Sequence, residues 1–346
     1  MHHKSYLDWV VGETSTTWWH DSGNPAELEA AIEHGAAGVT TNPVLTRQSL
    51  SESREYWRKK QGINITSLEP TERAEALTGM VARDLAARMV PEFERSGGAA
   101  GYVCAQVNPA LAGNRESMLS MARRFHEFAP NIAVKLPVTA AGLDVLEECT
   151  SQGITVTATV SFTVPQVIAI AESHRRGIRK AESSGIKAGR CFAVIMIGRL
   201  DDYLRDLALD SRAPVEAGDL TQAGLAVTKR AYTIYKDCDY EAVLLVAALR
   251  GNYHMTELAG GELIMSIHPK SQKPLLSSDI PMEERIQLPI SGDITRRLSK
   301  IPDFIRAYEP EGMKPEEFIS FGVTQRTLTQ FYETGWRPLE TYEPEK

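Results

Sequence analysis

The chain has 346 residues, 42% of them hydrophobic and 24% charged, enough to bury one barrel-sized core or two smaller ones. A net charge of −7 gives no electrostatic footprint for nucleic acid or an anionic membrane. Cys104, Cys149, Cys191 and Cys238 lie far apart without a C-x-x-C pair, which argues against a zinc site and a disulfide scaffold and suits a reducing cytosol.

The amino terminus lacks the apolar stretch of a signal peptide, and no apolar run is long enough to span a membrane, so a cytoplasmic protein is expected. His2-His3 is weak evidence for a metal site at a chain end. Short β-rich runs then alternate with helical patterns almost throughout. Strands are predicted over 17–21, 38–41, 101–107, 132–136, 155–160, 191–197, 242–247 and 263–267. Between the first two, Pro25 follows Asn24 at a helix start and Gly35 can close the helix. The interval 45–96 breaks the rhythm and reads as a helical insertion after the second strand, with amphipathic stretches over 51–60 and 71–95 and Gly97-Gly98 as its exit. A helix is expected over 139–149, stopped by Gln152-Gly153. The prolines, serines and acidic residues of 269–294 read as a long loop, and 314–346 as a carboxy-terminal helix, over 324–333, with a tail that is either loose or packed on the rest. Eight strand–helix units in one chain of this length predict an α/β fold, a single (β/α)8 barrel domain over 1–346.

In such a barrel, reactive groups sit at the carboxy-terminal ends of the strands. Lys135 ends the apolar run Asn131-Ile132-Ala133-Val134-Lys135-Leu136-Pro137, where a buried ammonium is costly unless it is paired or neutral. A neutral buried amine is what a Schiff-base nucleophile requires, although a lysine at a strand end can also snorkel to solvent. Asp21 ends the first strand, but Asp21-Ser22-Gly23-Asn24-Pro25 equally suits a helix cap. Thr41-Asn42-Pro43 follows the second strand as either a pocket edge or a plain turn, with Pro43 holding Asn42 extended. Gln106 is a buried amide that must find partners. Thr157 and Thr159 alternate on the fifth strand and could be ordinary β-branched fillers. Arg199 and Arg250 follow the sixth and seventh strands, where surface ion pairs are the commoner fate of arginine. His20 should face away from Asp21 and reads as structural.

Four of these segments carry a family resemblance. Gly38-Val39-Thr40-Thr41-Asn42-Pro43 resembles a signature of transaldolases, and Val134-Lys135-Leu136-Pro137-Val138-Thr139-Ala140-Ala141-Gly142-Leu143 resembles their Schiff-base lysine motif, especially in the form found in fructose-6-phosphate aldolases. Gly153 through Thr159 with Gln166, and Ile197-Gly198-Arg199-Leu200-Asp201-Asp202, are similar to further family segments. The resemblance runs from about 17 to 270. It implies that Lys135 is the nucleophile, Asp21 the general acid/base, and Thr159 and Gln106 the holders of a catalytic water. It further implies that Asn42 and Thr157 line the donor sugar, that Arg199 and Arg250 bind phosphate, and that Met196 stands where relatives place an aromatic residue facing the substrate. No cofactor and no metal ion are implied; the partner would be a sugar or sugar phosphate, and members are often homo-oligomers.

Three departures bear on substrate. Ala248 and Val194 stand where the family commonly has serines, and Met196 replaces phenylalanine or tyrosine. Each lost hydroxyl removes a hydrogen bond of about 1 kcal/mol from the acceptor end. Gln106 matches the aldolase form, where transaldolases usually have glutamate; it can position a water but cannot take its proton. The expectation is therefore transfer of a dihydroxyacetone unit, with release of free dihydroxyacetone as one alternative and a non-catalytic sugar-binding barrel as another.

Overall fold

The computed structural model describes residues 5–60, 65–277 and 279–343; the His2-His3 pair and the last three residues of the tail lie outside them. All eight strands form, as β1 (Thr17–Asp21), β2 (Gly38–Thr40), β3 (Tyr102–Gln106), β4 (Ile132–Pro137), β5 (Val156–Thr159), β6 (Cys191–Met196), β7 (Val243–Ala247) and β8 (Ile264–Ile267). They pair in chain order, every neighbour parallel, and β8 returns to β1, so the fold is a (β/α)8 barrel. The strands read as near-continuous apolar runs because helices cover their outer side while side chains fill the inside.

Alternate residues of each strand point inward. Near the amino-terminal ends the interior is filled by rings: Trp19 and Phe192 meet edge-on with centroids 4.6 Å apart, and Tyr102 meets Phe192 at 5.4 Å. This plug dictates Gly38 on β2, since a Cβ there would lie 2.5 Å from the Trp19 indole. Gly38→Ala is accordingly expected to destabilise the barrel by about 1–3 kcal/mol, the cost of overpacking a rigid core. Urea denaturation checks this; an unchanged midpoint would mean that Trp19 can move aside.

Several helices differ from expectation in length or place. The helix Pro25–Glu33 is capped by Asn24, whose Oδ1 accepts from the Ala26 amide at 3.1 Å, and Gly35 closes it at φ 81°. Between β2 and β3 the helical stretch expected over 51–60 begins earlier, as Pro43–Glu52 and then Arg54–Lys60, because Asn42 caps Pro43 at a first-turn position. The second stretch is the 26-residue helix Pro70–Arg95, which packs against β3 and is followed by Gly97 and Gly98 at positive φ.

The segment 269–294 is not one long loop. It opens with the helix Pro269–Leu275, capped by the His268 imidazole, and Gly292–Leu298 is helical as well. The prolines there misled the reading: Pro269 stands in the first turn, where it lacks no hydrogen bond. A helix Tyr6–Glu13 also precedes β1. The tail packs on the barrel: Gly322–Phe331 runs into a π-helical turn, Tyr332–Trp336, and Arg337–Glu340, burying Phe331, Trp336 and Leu339. Among the described residues no helix is long and apolar enough to cross a membrane.

Candidate active site

At the carboxy-terminal mouth of the barrel, Lys135 on β4 is in register with Gln106 on β3 and with Thr157 on β5, so the three residues form one inward row. Lys135 is only 5% exposed, and its Nζ donates to the Thr41 carbonyl at 2.9 Å. That carbonyl is held in place because the Thr41 hydroxyl donates to the Cys104 carbonyl at 2.7 Å. Burial is the main force on the ammonium and moves its pKa below the ordinary lysine value; the positive charge of Arg199 adds to this, and Asp21 opposes it. Cys104 lies close by, but burial pushes its thiol up, so it stays neutral and offers no counter-charge.

Asp21 ends β1, half-buried. It is not the cap of the following helix, since Asn24 takes that role. Instead the Thr40 hydroxyl donates to Asp21 Oδ1 at 2.7 Å, and the Ser266 hydroxyl lies 2.6 Å from Thr40. With Thr40's proton committed to the carboxylate, Ser266 must be the donor, giving a relay Ser266, Thr40, Asp21 that fixes the carboxylate's direction.

Asp21, Asn42, Lys135, Met196, Arg199 and Arg250 line one cavity of about 350 Å³, together with Val194 and Ala248. Asn42 is both wall and cap: its Oδ1 accepts from the Val44 and Leu45 amides at 2.9 and 3.1 Å. Asn42→Ala should therefore lose about 1 kcal/mol of stability from the cap alone, measurable by thermal melting, whatever it does to ligand binding.

Gln106, Thr157 and Thr159 are not walls of this cavity but fully buried in the barrel interior on β3 and β5. The Thr157 hydroxyl is 3.3 Å from the Cys104 sulfur. Gln106 Oε1 and Thr159 Oγ1 have no hydrogen-bond partner among the described residues. Two such atoms on the strands flanking Lys135 can both hydrogen-bond a water, which is how buried polar atoms are normally satisfied.

The two arginines differ. Arg250 is paired with Asp202, its Nε and Nη2 donating to one carboxylate oxygen at 2.9 and 2.8 Å, while Nη1 donates to the Ala248 carbonyl at 2.8 Å. Ala248 takes φ 59°, left-handed for a residue with a Cβ. Among the described residues Arg199 has no carboxylate in contact; it donates to Gln330 Oε1 at 2.6 Å and lies over the Phe331 ring at 5.2 Å. Burial lowers its pKa to about 10, and it stays charged at neutral pH. His20 faces away from the cavity, bonded to Gln272, with burial holding its imidazole down to about 4.

Sequence reading missed Thr40, Ser266, His268, Lys270 and Phe331, all of which border the cavity. Two had a signal: Thr40 is the register partner of Asp21, and Ser266 is the inward polar residue of β8. Among the described residues no group of three or more His, Cys, Asp or Glu is placed to hold a metal ion.

A sequence model of the transaldolase/fructose-6-phosphate aldolase family matches residues 18–303, most of the chain and seven of its strands entire. The chain belongs to that family. Named relatives include a transaldolase of Thiobacillus denitrificans, 31% identical over 224 residues, covering 63% of this chain and 62% of the relative. A transaldolase of Neisseria gonorrhoeae is 30% identical over 210 residues, covering 60% and 58%, and transaldolase 2 of Streptomyces avermitilis 28% identical over 220, covering 62% and 58%. The chain thus spans about six-tenths of the length of these curated relatives. Within the transaldolase/fructose-6-phosphate aldolase family, the match stops short of the helix Gly322–Phe331, which nonetheless brings Gln330 and Phe331 to this site.

Proposed function

We propose that the protein is a cofactor-free class I enzyme of carbohydrate metabolism, a transaldolase that moves a dihydroxyacetone unit from a ketose to an aldose through an imine on Lys135. The observation that carries the reading is the Lys135 amine: buried, with no carboxylate of the described residues in contact, beside a cavity that Asp21 also lines, and with a depressed pKa. An amine that gives up its proton readily is a competent nucleophile.

The sequence of steps follows from these groups. Nζ attacks the ketose carbonyl carbon, and the carbinolamine loses water to become a protonated imine. Asp21 takes the proton of the C4 hydroxyl, the C3–C4 bond breaks, and its electron pair moves into the iminium to leave an enamine on Lys135 and a free aldehyde. An incoming aldehyde is attacked by the enamine carbon and receives the proton back from Asp21. Water placed by Gln106 and Thr159 hydrolyses the imine. Asn42 and Thr157 serve the donor sugar, Met196 contacts the substrate, and Arg199 and Arg250 hold its anionic end.

A second reading, release of free dihydroxyacetone, is favoured by Gln106, the residue of the aldolase form at a position where transaldolases usually have glutamate. Product analysis with and without an aldehyde acceptor separates the two. For the chemistry itself, borohydride added with a ketose or with dihydroxyacetone should leave a stable mass adduct on Lys135. Tight sugar binding without any adduct would instead indicate a barrel that binds and does not react.

A further inference from the structure

When the C3–C4 bond is made or broken, negative charge develops on the C4 oxygen, and a hydrogen-bond donor held ready for it lowers the barrier. Asp21 can move the proton of that oxygen but has no fixed N–H to offer it. The end of β8 has one. Ser266 points into the barrel, where its hydroxyl reaches Thr40, and His268, two residues further on, follows on the same face at the rim. β1 and β8 pair in register as far as His20 and Ile267, so Asp21 and His268 continue side by side, and both line the cavity with Lys135. Lys135 stands on β4, four strands from β8 in the closed ring and therefore on the opposite wall.

The His268 imidazole is fixed at one end and free at the other. Its Nδ1 accepts the Lys270 amide N–H at 3.2 Å and so caps the helix Pro269–Leu275. An accepting Nδ1 carries no proton, which places the ring's proton on Nε2, and Nε2 has no partner among the described residues. Asp21 is half-satisfied in the complementary sense. Thr40 donates to its Oδ1, and among the described residues its Oδ2 has no hydrogen bond. An unpartnered acceptor and an unpartnered donor thus flank the same stretch of cavity wall, as a single hydroxyl between them would require.

We propose that His268 is a further catalytic residue of this site, whose Nε2–H donates to the C4 oxygen of the bound ketose and, in the reverse sense, to the carbonyl oxygen of the incoming aldehyde. The role rests on the imine chemistry proposed above. In cleavage the C4 hydroxyl proton passes to Asp21, the C3–C4 electron pair flows into the iminium, and the C4 oxygen becomes the aldehyde carbonyl with its hydrogen bond to Nε2 intact. In transfer the enamine carbon attacks the aldehyde carbon, the carbonyl π pair moves onto the oxygen that Nε2–H has polarised, and Asp21 returns the proton. The imidazole neither gains nor loses a proton in either direction.

Two substitutions in the full-length protein separate this role from the helix cap. Asparagine places an amide oxygen where Nδ1 lies, so His268→Asn keeps the cap and removes the Nε2 donor. Glutamine places an amide N–H near Nε2, so His268→Gln keeps the donor and gives up the cap. His268→Asn should melt as wild type does and lose about 10²-fold in kcat for transfer to an aldehyde. His268→Gln should melt at a lower temperature and lose less than about tenfold. A residue that only caps the helix gives the reverse pattern. Borohydride trapping with dihydroxyacetone, which needs no aldehyde, should be the same in all three proteins. Transfer at the wild-type rate by His268→Asn, or an equal loss in both variants, would overturn the role of Nε2 and leave the imine chemistry standing, since the adduct on Lys135 still forms. Absence of the adduct from wild type would overturn the imine chemistry and the role of His268 with it.

Discussion

Lys135→Met is expected to abolish turnover and at the same time to stabilise the protein. The side chain keeps its length and apolar stem but loses the amine, so neither carbinolamine nor imine can form, and kcat/KM should fall on the order of 10⁴-fold or more. No borohydride adduct should appear. Folding responds in the opposite sense: burial in the barrel interior penalises the ammonium, and among the described residues no carboxylate touches it to compensate. Methionine removes that penalty at the loss of one hydrogen bond to the Thr41 carbonyl. A gain on the order of 1 kcal/mol, or about 2 °C in Tm, is expected.

The gain should depend on pH in a defined direction. In the folded protein Lys135 has a pKa below the ordinary 10.5 that it has in the unfolded chain. Below the folded value both states hold the proton, and the wild type bears the whole cost of burying it. Between the folded value and 10.5 the unfolded chain binds the extra proton, so wild-type stability rises with pH relative to the variant. The advantage of Lys135→Met is therefore largest at neutral and lower pH and fades as pH approaches 10.5. A stability difference that is negative, or that grows with pH, would mean that the amine is not a strained group in the native state, and the case for it as a nucleophile would weaken.

The same residue explains why so much of this barrel could be read from its sequence. A charge inside an apolar strand breaks a strong local pattern, and a polar residue at the end of β1, Asp21, or just after β2, Asn42, breaks it in the same way; strand position alone carries these groups to one mouth. What escaped depends on contacts between residues distant in sequence. Gln330 is 131 residues from Arg199, and no local feature of an amphipathic tail helix tells that its Oε1 will reach that guanidinium. Thr40 and Ser266 look like strand residues until β1, β2 and β8 are adjacent, when they become the relay to Asp21. Arg250 lines the cavity after β7, but its pairing with Asp202 is set by a helix and a loop that meet only in the folded barrel.

Asp21→Asn should separate the two halves of the reaction. The amide is isosteric with the carboxylate, and its Oδ1 can still accept from Thr40, so the Ser266–Thr40 relay and the barrel mouth persist. What it cannot do is take the C4 hydroxyl proton, and cleavage of the ketose should slow by about 10²- to 10⁴-fold. Imine formation with dihydroxyacetone needs no C3–C4 cleavage, and the borohydride adduct on Lys135 should survive. Its pH profile should also move. The Asp21 anion favours the ammonium form of Lys135, so removing its charge lets the amine lose its proton at lower pH, and trapping should reach half its maximum at a lower pH than in wild type. Aldehyde release monitored in single turnover, beside the trapping profile, reads both effects in one protein. A variant that cleaves ketose at the wild-type rate would remove Asp21 from the chemistry. One that remains folded but forms no adduct would show that the carboxylate acts earlier, in making the imine, and the division of labour between Asp21 and Lys135 would have to be redrawn.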